Sequence, residues 1–185
     1  MTTRHTLTIA AALLTLVTLS GCATMGSTSS AEKRTAGTVV EDNSIELKSQ
    51  EAIYTDDRLK KQVHVNVTSY NGIVLLTGEA PTTEMSEAVV SLVQQVPKVR
   101  QIYNEVAIIP PASLADRSRD SWITTKVKTR LFGNKEVNGL SIKVITVHGI
   151  VYLMGIVSQA EGEAATNLAR QADGVVQVVK MFEYQ

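Results

Sequence analysis

The feature that most constrains the fold is an internal repeat. Residues 70–78 align with residues 147–155 at an offset of 77, and both glycines of each segment match. Residues upstream align at an offset of 78, and residues downstream at 76. A drift of one residue across turns is typical of tandem duplication with small loop insertions. The sequence therefore predicts two equivalent domains, at 42–110 and 116–185.

Each repeat shows the same succession of apolar patterns. An opening helix is expected to begin near Asn43 in the first repeat and near Ser121 in the second. A hairpin follows, with its turn at Asn71-Gly72 or His148-Gly149, and then an amphipathic helix and a final strand. The order αββαβ, written twice, predicts an α+β fold. Each domain should hold a three-stranded mixed sheet with two helices on one face.

The start of the chain resembles a bacterial export signal. The apolar run 7–19 follows Arg4 and is too short to span the hydrocarbon core of a bilayer, about 30 Å thick. Leu19-Ser20-Gly21-Cys22 resembles the lipobox of lipoproteins. That resemblance implies cleavage before Cys22, which then carries diacylglycerol and an acyl chain such as palmitate. We expect a signal peptide at 1–21, and an acylated cysteine with a flexible tether at 22–41.

Charge is distributed unequally between the repeats. The chain holds 18 basic and 18 acidic residues, which argues against a general nucleic-acid-binding role. Residues 42–109 carry six basic and nine acidic side chains, whereas residues 116–185 carry nine and seven. In the second repeat, the opening helix holds Trp122, the single tryptophan, with Lys126 and Arg130 one and two turns further on. A tryptophan beside cations is typical of a helix at a membrane interface.

The two return strands, each reading Gly-Ile-Val-x-Leu-x-Gly or its close equivalent, resemble those of the BON domain. The chain as a whole resembles the dual-BON outer-membrane lipoproteins. Their known properties imply an outer-membrane protein of the inner leaflet that faces the periplasm, binds phospholipid and supports membrane integrity, with a role at the division site. The resemblance also implies that the first helix of the second domain contacts lipid. The candidate contact residues are Arg119, Trp122, Ile123, Thr125, Lys126, Lys128, Thr129 and Arg130.

The expected ligand is an anionic phospholipid of the phosphatidylglycerol or cardiolipin class, since these residue types select headgroup charge rather than one lipid. No catalytic residue, cofactor or metal site is expected. His64 and His148 have no Asp or Cys partner at ligand spacing, and no nucleophile or phosphate-loop motif occurs. The sequence thus predicts a protein that is not an enzyme.

Alternatives remain open from the sequence. Trp122 could cover the edge of the core or wedge between the domains, and the neighbouring cations could be a solvated helix face. The protein could instead be an adaptor that docks outer-membrane assembly or division proteins through sheet edges or the acidic first domain. A soluble periplasmic stress protein is a third class, which fails if Cys22 is acylated.

Overall fold

The computed structural model describes residues 35–185 and has the predicted α+β architecture, with αββαβ occurring twice. The first repeat consists of α1 (Ala36–Thr55), β1 (His64–Tyr70), β2 (Ile73–Ala80), α2 (Thr83–Gln94) and β3 (Gln101–Ile108). The second consists of α3 (Leu114–Phe132), β4 (Ile142–Val147), β5 (Ile150–Val157), α4 (Gln159–Arg170) and β6 (Gln177–Tyr184). A short 3₁₀ turn, Gly139–Ser141, precedes β4.

Both opening helices begin earlier than the sequence predicted. The prediction of starts near Asn43 and Ser121 was wrong, because the N-caps are Thr35 and Ser113. Each of these side chains accepts a hydrogen bond from the backbone N–H three residues on, at 3.2 Å. Residues 36–41, predicted as tether, are therefore helical. The signal segment, Cys22 and the rest of the tether lie outside the described residues.

The two sheets share one topology. β2 is the central strand of the first sheet, antiparallel to β1 and parallel to β3, and β5 has the same place in the second sheet. Both hairpins turn through two residues with positive φ, 53° and 75° at Asn71-Gly72 and 52° and 77° at His148-Gly149. These angles define type I′ turns, which match the twist of a hairpin. Both predicted turn positions are confirmed.

Each sheet is covered on one face by the two helices of its own repeat. In the first repeat, Val65 and Leu76 of the sheet pack with Ile53 of α1 and Val89 of α2. The second repeat builds the equivalent core from α3, α4, β4 and β5. Burial of these aliphatic side chains is the main stabilising contribution within each domain. Within residues 35–185, we find no helix with the length and apolar character needed to cross a membrane.

The helix-free faces of the two sheets pack against each other. A third buried cluster joins side chains from both repeats: Tyr70, Ile73, Leu75, Tyr152, Met154 and Met181. The hydroxyl of Tyr70 donates to the carbonyl of Ser141 across this interface, at 2.8 Å. The domains therefore form four layers, helix–sheet–sheet–helix, with a shared central core that the sequence analysis did not predict.

Polar contacts between the two repeats surround this shared core. Three of them join an acidic side chain of the first repeat to the second: Glu46 with Lys143 (2.6 Å), Glu79 with His148 (3.1 Å) and Glu105 with Tyr152 (3.2 Å). Burial, together with the Glu105 carboxylate, raises the pKa of Tyr152. One ion pair has the charges reversed: Arg100 of the first repeat lies 2.9 Å from Glu183 of the second. Ion pairs of both senses therefore join the two repeats within one chain.

Candidate functional site

The candidate lipid-contacting helix, α3, is fixed to its sheet along one face. Its buried residues are Asp120, Ile123, Val127 and Leu131, spaced at i, i+3, i+7 and i+11. This spacing places them on a single stripe of a helix with 3.6 residues per turn. The opposite face of α3 is left to solvent, so its residue types are not dictated by packing.

A buried carboxylate ties α3 to the hairpin beneath it. The Asp120 carboxylate accepts hydrogen bonds from the backbone N–H groups of His148 and Gly149, both at 2.8 Å. Asp42 of α1 does the same in the first repeat, accepting from Asn71 and Gly72 at 2.8 and 2.9 Å. The sequence alignment matched the two aspartates without assigning them a role. Their recurrence 29 and 28 residues before a two-residue turn was the signal that could have revealed it.

Trp122 lies on the solvent face of α3. Its side chain is 60% exposed, and the Nζ of Lys126 lies 5.4 Å from the centre of its ring. This separation is within the range of a cation–π interaction, which holds the cation beside the ring. Trp122 is not among the side chains between the two sheets. The alternative in which it wedges between the domains is therefore wrong.

The other predicted contact residues divide into two groups. Thr125 and Thr129 are exposed, one and two turns after Trp122 on the same face, and each hydroxyl donates to the carbonyl four residues earlier. Arg119, one turn before Trp122, is also exposed and lies 3.7 Å from Asp116. All of these side chains can reach a ligand that approaches α3 from solvent.

The remaining three predicted contact residues lie at different angles around α3. Arg130 is exposed on the flank of the Trp122 face, whereas Lys128 is exposed about 120° around the helix from Trp122. Ile123 has to be removed from the contact set, because it is only 1% exposed. Its position at i+1 from Trp122 rotates it by about 100°, into the core.

Several surface residues near α3 were not predicted. Asp173, in the loop between α4 and β6, lies 3.3 Å from the Nζ of Lys126. Phe132 ends α3 with its ring against Gly139, and both Phe132 and the next residue of that turn, Leu140, are exposed. Composition alone could not identify these residues, because it does not tell which loops return to α3.

The geometry defines an amphipathic surface rather than an enclosed pocket. It combines one exposed aromatic ring, several exposed cations and small hydroxyl side chains on a rigid helix. Such a surface can place an indole ring at the headgroup level of a bilayer while the cations meet phosphates. It offers no arrangement of acid, base and nucleophile along its length.

Comparison with known proteins identifies the class. Residues 41–110 and 119–185 each match the BON domain family. The chain therefore belongs to the BON domain family, and with two BON domains it is a dual-BON lipoprotein of the DolP type. It is 38% identical to the outer membrane lipoprotein DolP of Haemophilus influenzae over 153 residues, covering 83% of this chain and 79% of that protein.

Two further relatives are also similar over most of their length. The 21 kDa hemolysin of Actinobacillus pleuropneumoniae is 40% identical over 153 residues, covering 83% of this chain and 79% of that protein. Osmotically-inducible protein Y of Escherichia coli is more distant, at 26% identity over 145 residues, covering 77% of this chain and 72% of that protein. The similarity to each therefore spans most of both chains.

Proposed function

We propose that this BON-family lipoprotein is anchored through Cys22 in the inner leaflet of the outer membrane and faces the periplasm. There, the exposed face of α3 binds anionic phospholipid and so supports the integrity of the membrane. The name of the relative from Haemophilus influenzae, an outer membrane lipoprotein, supports the location. Enrichment at division sites is part of the same proposal, and rests on the resemblance alone.

The observation that carries the proposal is Trp122 exposed beside Lys126 on a helix whose other face is buried. Tryptophan is enriched at membrane–water interfaces, where its ring lies at the level of the headgroups. Each Lys or Arg near an anionic membrane contributes about 1 kcal/mol. A few such cations bind weakly by themselves. A lipid anchor would raise their effective concentration at the surface.

Replacing Trp122 with alanine is expected to reduce the affinity for phosphatidylglycerol vesicles by about tenfold or more, because the ring supplies most of the apolar contact. Co-sedimentation with vesicles measures this, using residues 23–185 made without the acylated cysteine. The wild-type protein should not bind vesicles of neutral lipid. Binding should also weaken as salt concentration rises, since screening acts on exposed charges.

Leu47→Ala is the matched control. Leu47 is an exposed apolar residue, 71% exposed, on α1, the equivalent helix of the first repeat. The substitution Leu47→Ala should leave vesicle binding unchanged. Equal loss in both variants would mean that exposed apolar surface in general, and not α3, makes the contact. Unchanged binding by Trp122→Ala would refute the proposed site.

A second candidate function, a protein-binding adaptor, is favoured by one specific observation. The edge strand β3 is exposed along most of its length, and pairs on one side only with described strands. It presents Tyr103 and Ile108 to solvent. An unpaired edge can accept an extended segment of an envelope-assembly or division protein. Binding of this kind would survive Trp122→Ala and would not depend on lipid headgroup.

A further inference from the structure

The carboxylate of Asp173 forms an ion pair with Lys126 of α3. Its Oδ2 lies 3.3 Å from the lysine Nζ, and the Asp173 side chain is 85% exposed. The same Nζ lies 5.4 Å from the centre of the Trp122 ring. The ion pair therefore lies on the face of α3 that is proposed to contact lipid, next to its aromatic residue.

The backbone, and not the ion pair alone, holds Asp173 in this place. The next residue, Gly174, packs directly on α3: a Cβ added there would lie 3.1 Å from Ile123 Cδ1, a buried core atom. Gly174 also has a positive φ of 91°, which a glycine adopts without strain. The loop is thus fitted to α3, which keeps the backbone of Asp173 beside this helix.

The first repeat has the opposite arrangement. Its corresponding loop supplies a cation, Lys98, which pairs with Glu41 of α1. Of the two repeats, only the second therefore places an acidic loop residue, Asp173, against a basic residue of its opening helix, Lys126. This is also the repeat whose opening helix carries the tryptophan. An exposed ion pair of this kind is weak, so a lipid phosphate can displace the carboxylate. The carboxylate also repels an anionic surface.

We propose that Asp173 is an intramolecular competitor for the headgroup, which sets the fraction of anionic lipid at which α3 engages the membrane. This rests on the proposed function, because it concerns the same surface. When anionic lipid is scarce, Asp173 keeps Lys126 paired and α3 stays off the bilayer. When it is abundant, phosphates replace the carboxylate on Lys126. Asp173 is thus a specificity-determining residue for the charge density of the membrane.

Trp122, as the single tryptophan, gives a local readout. The full chain, as cells process it, is reconstituted in vesicles of phosphatidylcholine with increasing phosphatidylglycerol, and its tryptophan emission is recorded. Asp173→Asn should shift the equilibrium toward the engaged state by about fivefold, the effect of one unit charge near an anionic membrane. The blue shift should then occur at a lower phosphatidylglycerol fraction. In a Lys126→Gln background the same substitution should have a smaller effect.

Asp57→Asn is the matched control: Asp57 is 86% exposed and ion-paired with Lys60, but lies in the first repeat. The substitution Asp57→Asn should leave unchanged the phosphatidylglycerol fraction at which the blue shift is half complete. A wild type that shows no lipid-dependent shift refutes the proposed function itself. A wild type that shifts while Asp173→Asn matches it, or engages less readily, overturns only the role of Asp173. An equal gain from Asp57→Asn also overturns it, since net charge would then explain the effect.

Discussion

Replacing Leu75 with alanine is expected to lower the free energy of unfolding by about 2–5 kcal/mol and to weaken both repeats together. Leu75 is fully buried in the cluster between the two sheets, where it packs with Tyr152 and Met154 of the other repeat. The cavity it leaves would therefore remove contacts from both domains. The measurement is urea unfolding of residues 23–185, followed by circular dichroism and by Trp122 fluorescence.

The two probes separate local from shared stability, because the substitution is in the first repeat and Trp122 is in the second. With a shared core, both signals should move to the same lower midpoint. Leu47→Ala, at an exposed position of the first repeat, should change neither. A fluorescence midpoint that stays in place while circular dichroism shows an earlier transition would mean that the domains are stable independently.

The second large effect is expected from the buried aspartates. Asp42→Ala should destabilise the protein by about 3 kcal/mol, because it removes the acceptor from two backbone N–H groups and from the hydroxyl of Ser69. Asp120→Ala should be somewhat less harmful, since its carboxylate has two such hydrogen bonds, from His148 and Gly149. Thermal or urea unfolding of the two variants measures both effects.

The conservative variant tests the physical reason. Asp42→Asn keeps the shape but can direct an amide donor at a backbone donor, so it should recover only part of the lost stability. Asp57→Asn, at an exposed site in the same repeat, should be close to neutral. Full stability in Asp42→Ala would show that the hairpin turn holds without the carboxylate, contrary to the equivalent contacts in both repeats.

The domain architecture was largely accessible from the sequence, for identifiable reasons. The Asn71-Gly72 turn and the alternation that precedes it are local signals, and the duplication provided an independent second copy of each. The helix starts were missed because the first turns of α1 and α3 bury no side chain, so no hydrophobic period marks them. Their caps, Thr35 and Ser113, lie ahead of any hydrophobic period.

The packing of one sheet on the other was missed although a signal for it existed. Residues 73–76 and 150–154 are unbroken apolar runs, and a strand with such a run is usually buried on both faces. Two helices can cover only one face of a three-stranded sheet. The second face therefore needed another partner, and the run itself could not tell whether this was the other repeat or a second molecule.

The candidate site was only partly predictable. Trp122, Lys126 and Arg130 follow from helix spacing, which assigns residues to faces of α3. Asp173 could not be found in this way, because its proximity to Lys126 depends on the path of a loop 47 residues further along the chain. Ile123 shows a different error: it was included among the contact residues although helix spacing puts it on the core stripe with Val127 and Leu131, where its side chain is buried.

The most direct test of the central claim is whether lipid acyl chains quench the emission of Trp122. Residues 23–185, without an acyl anchor, would be mixed with vesicles whose lipids carry bromine at defined depths. We predict quenching in phosphatidylglycerol vesicles, strongest for bromine near the headgroups, and none in neutral vesicles. Vesicle binding without any quenching would contradict the account, because the membrane contact would then lie away from α3.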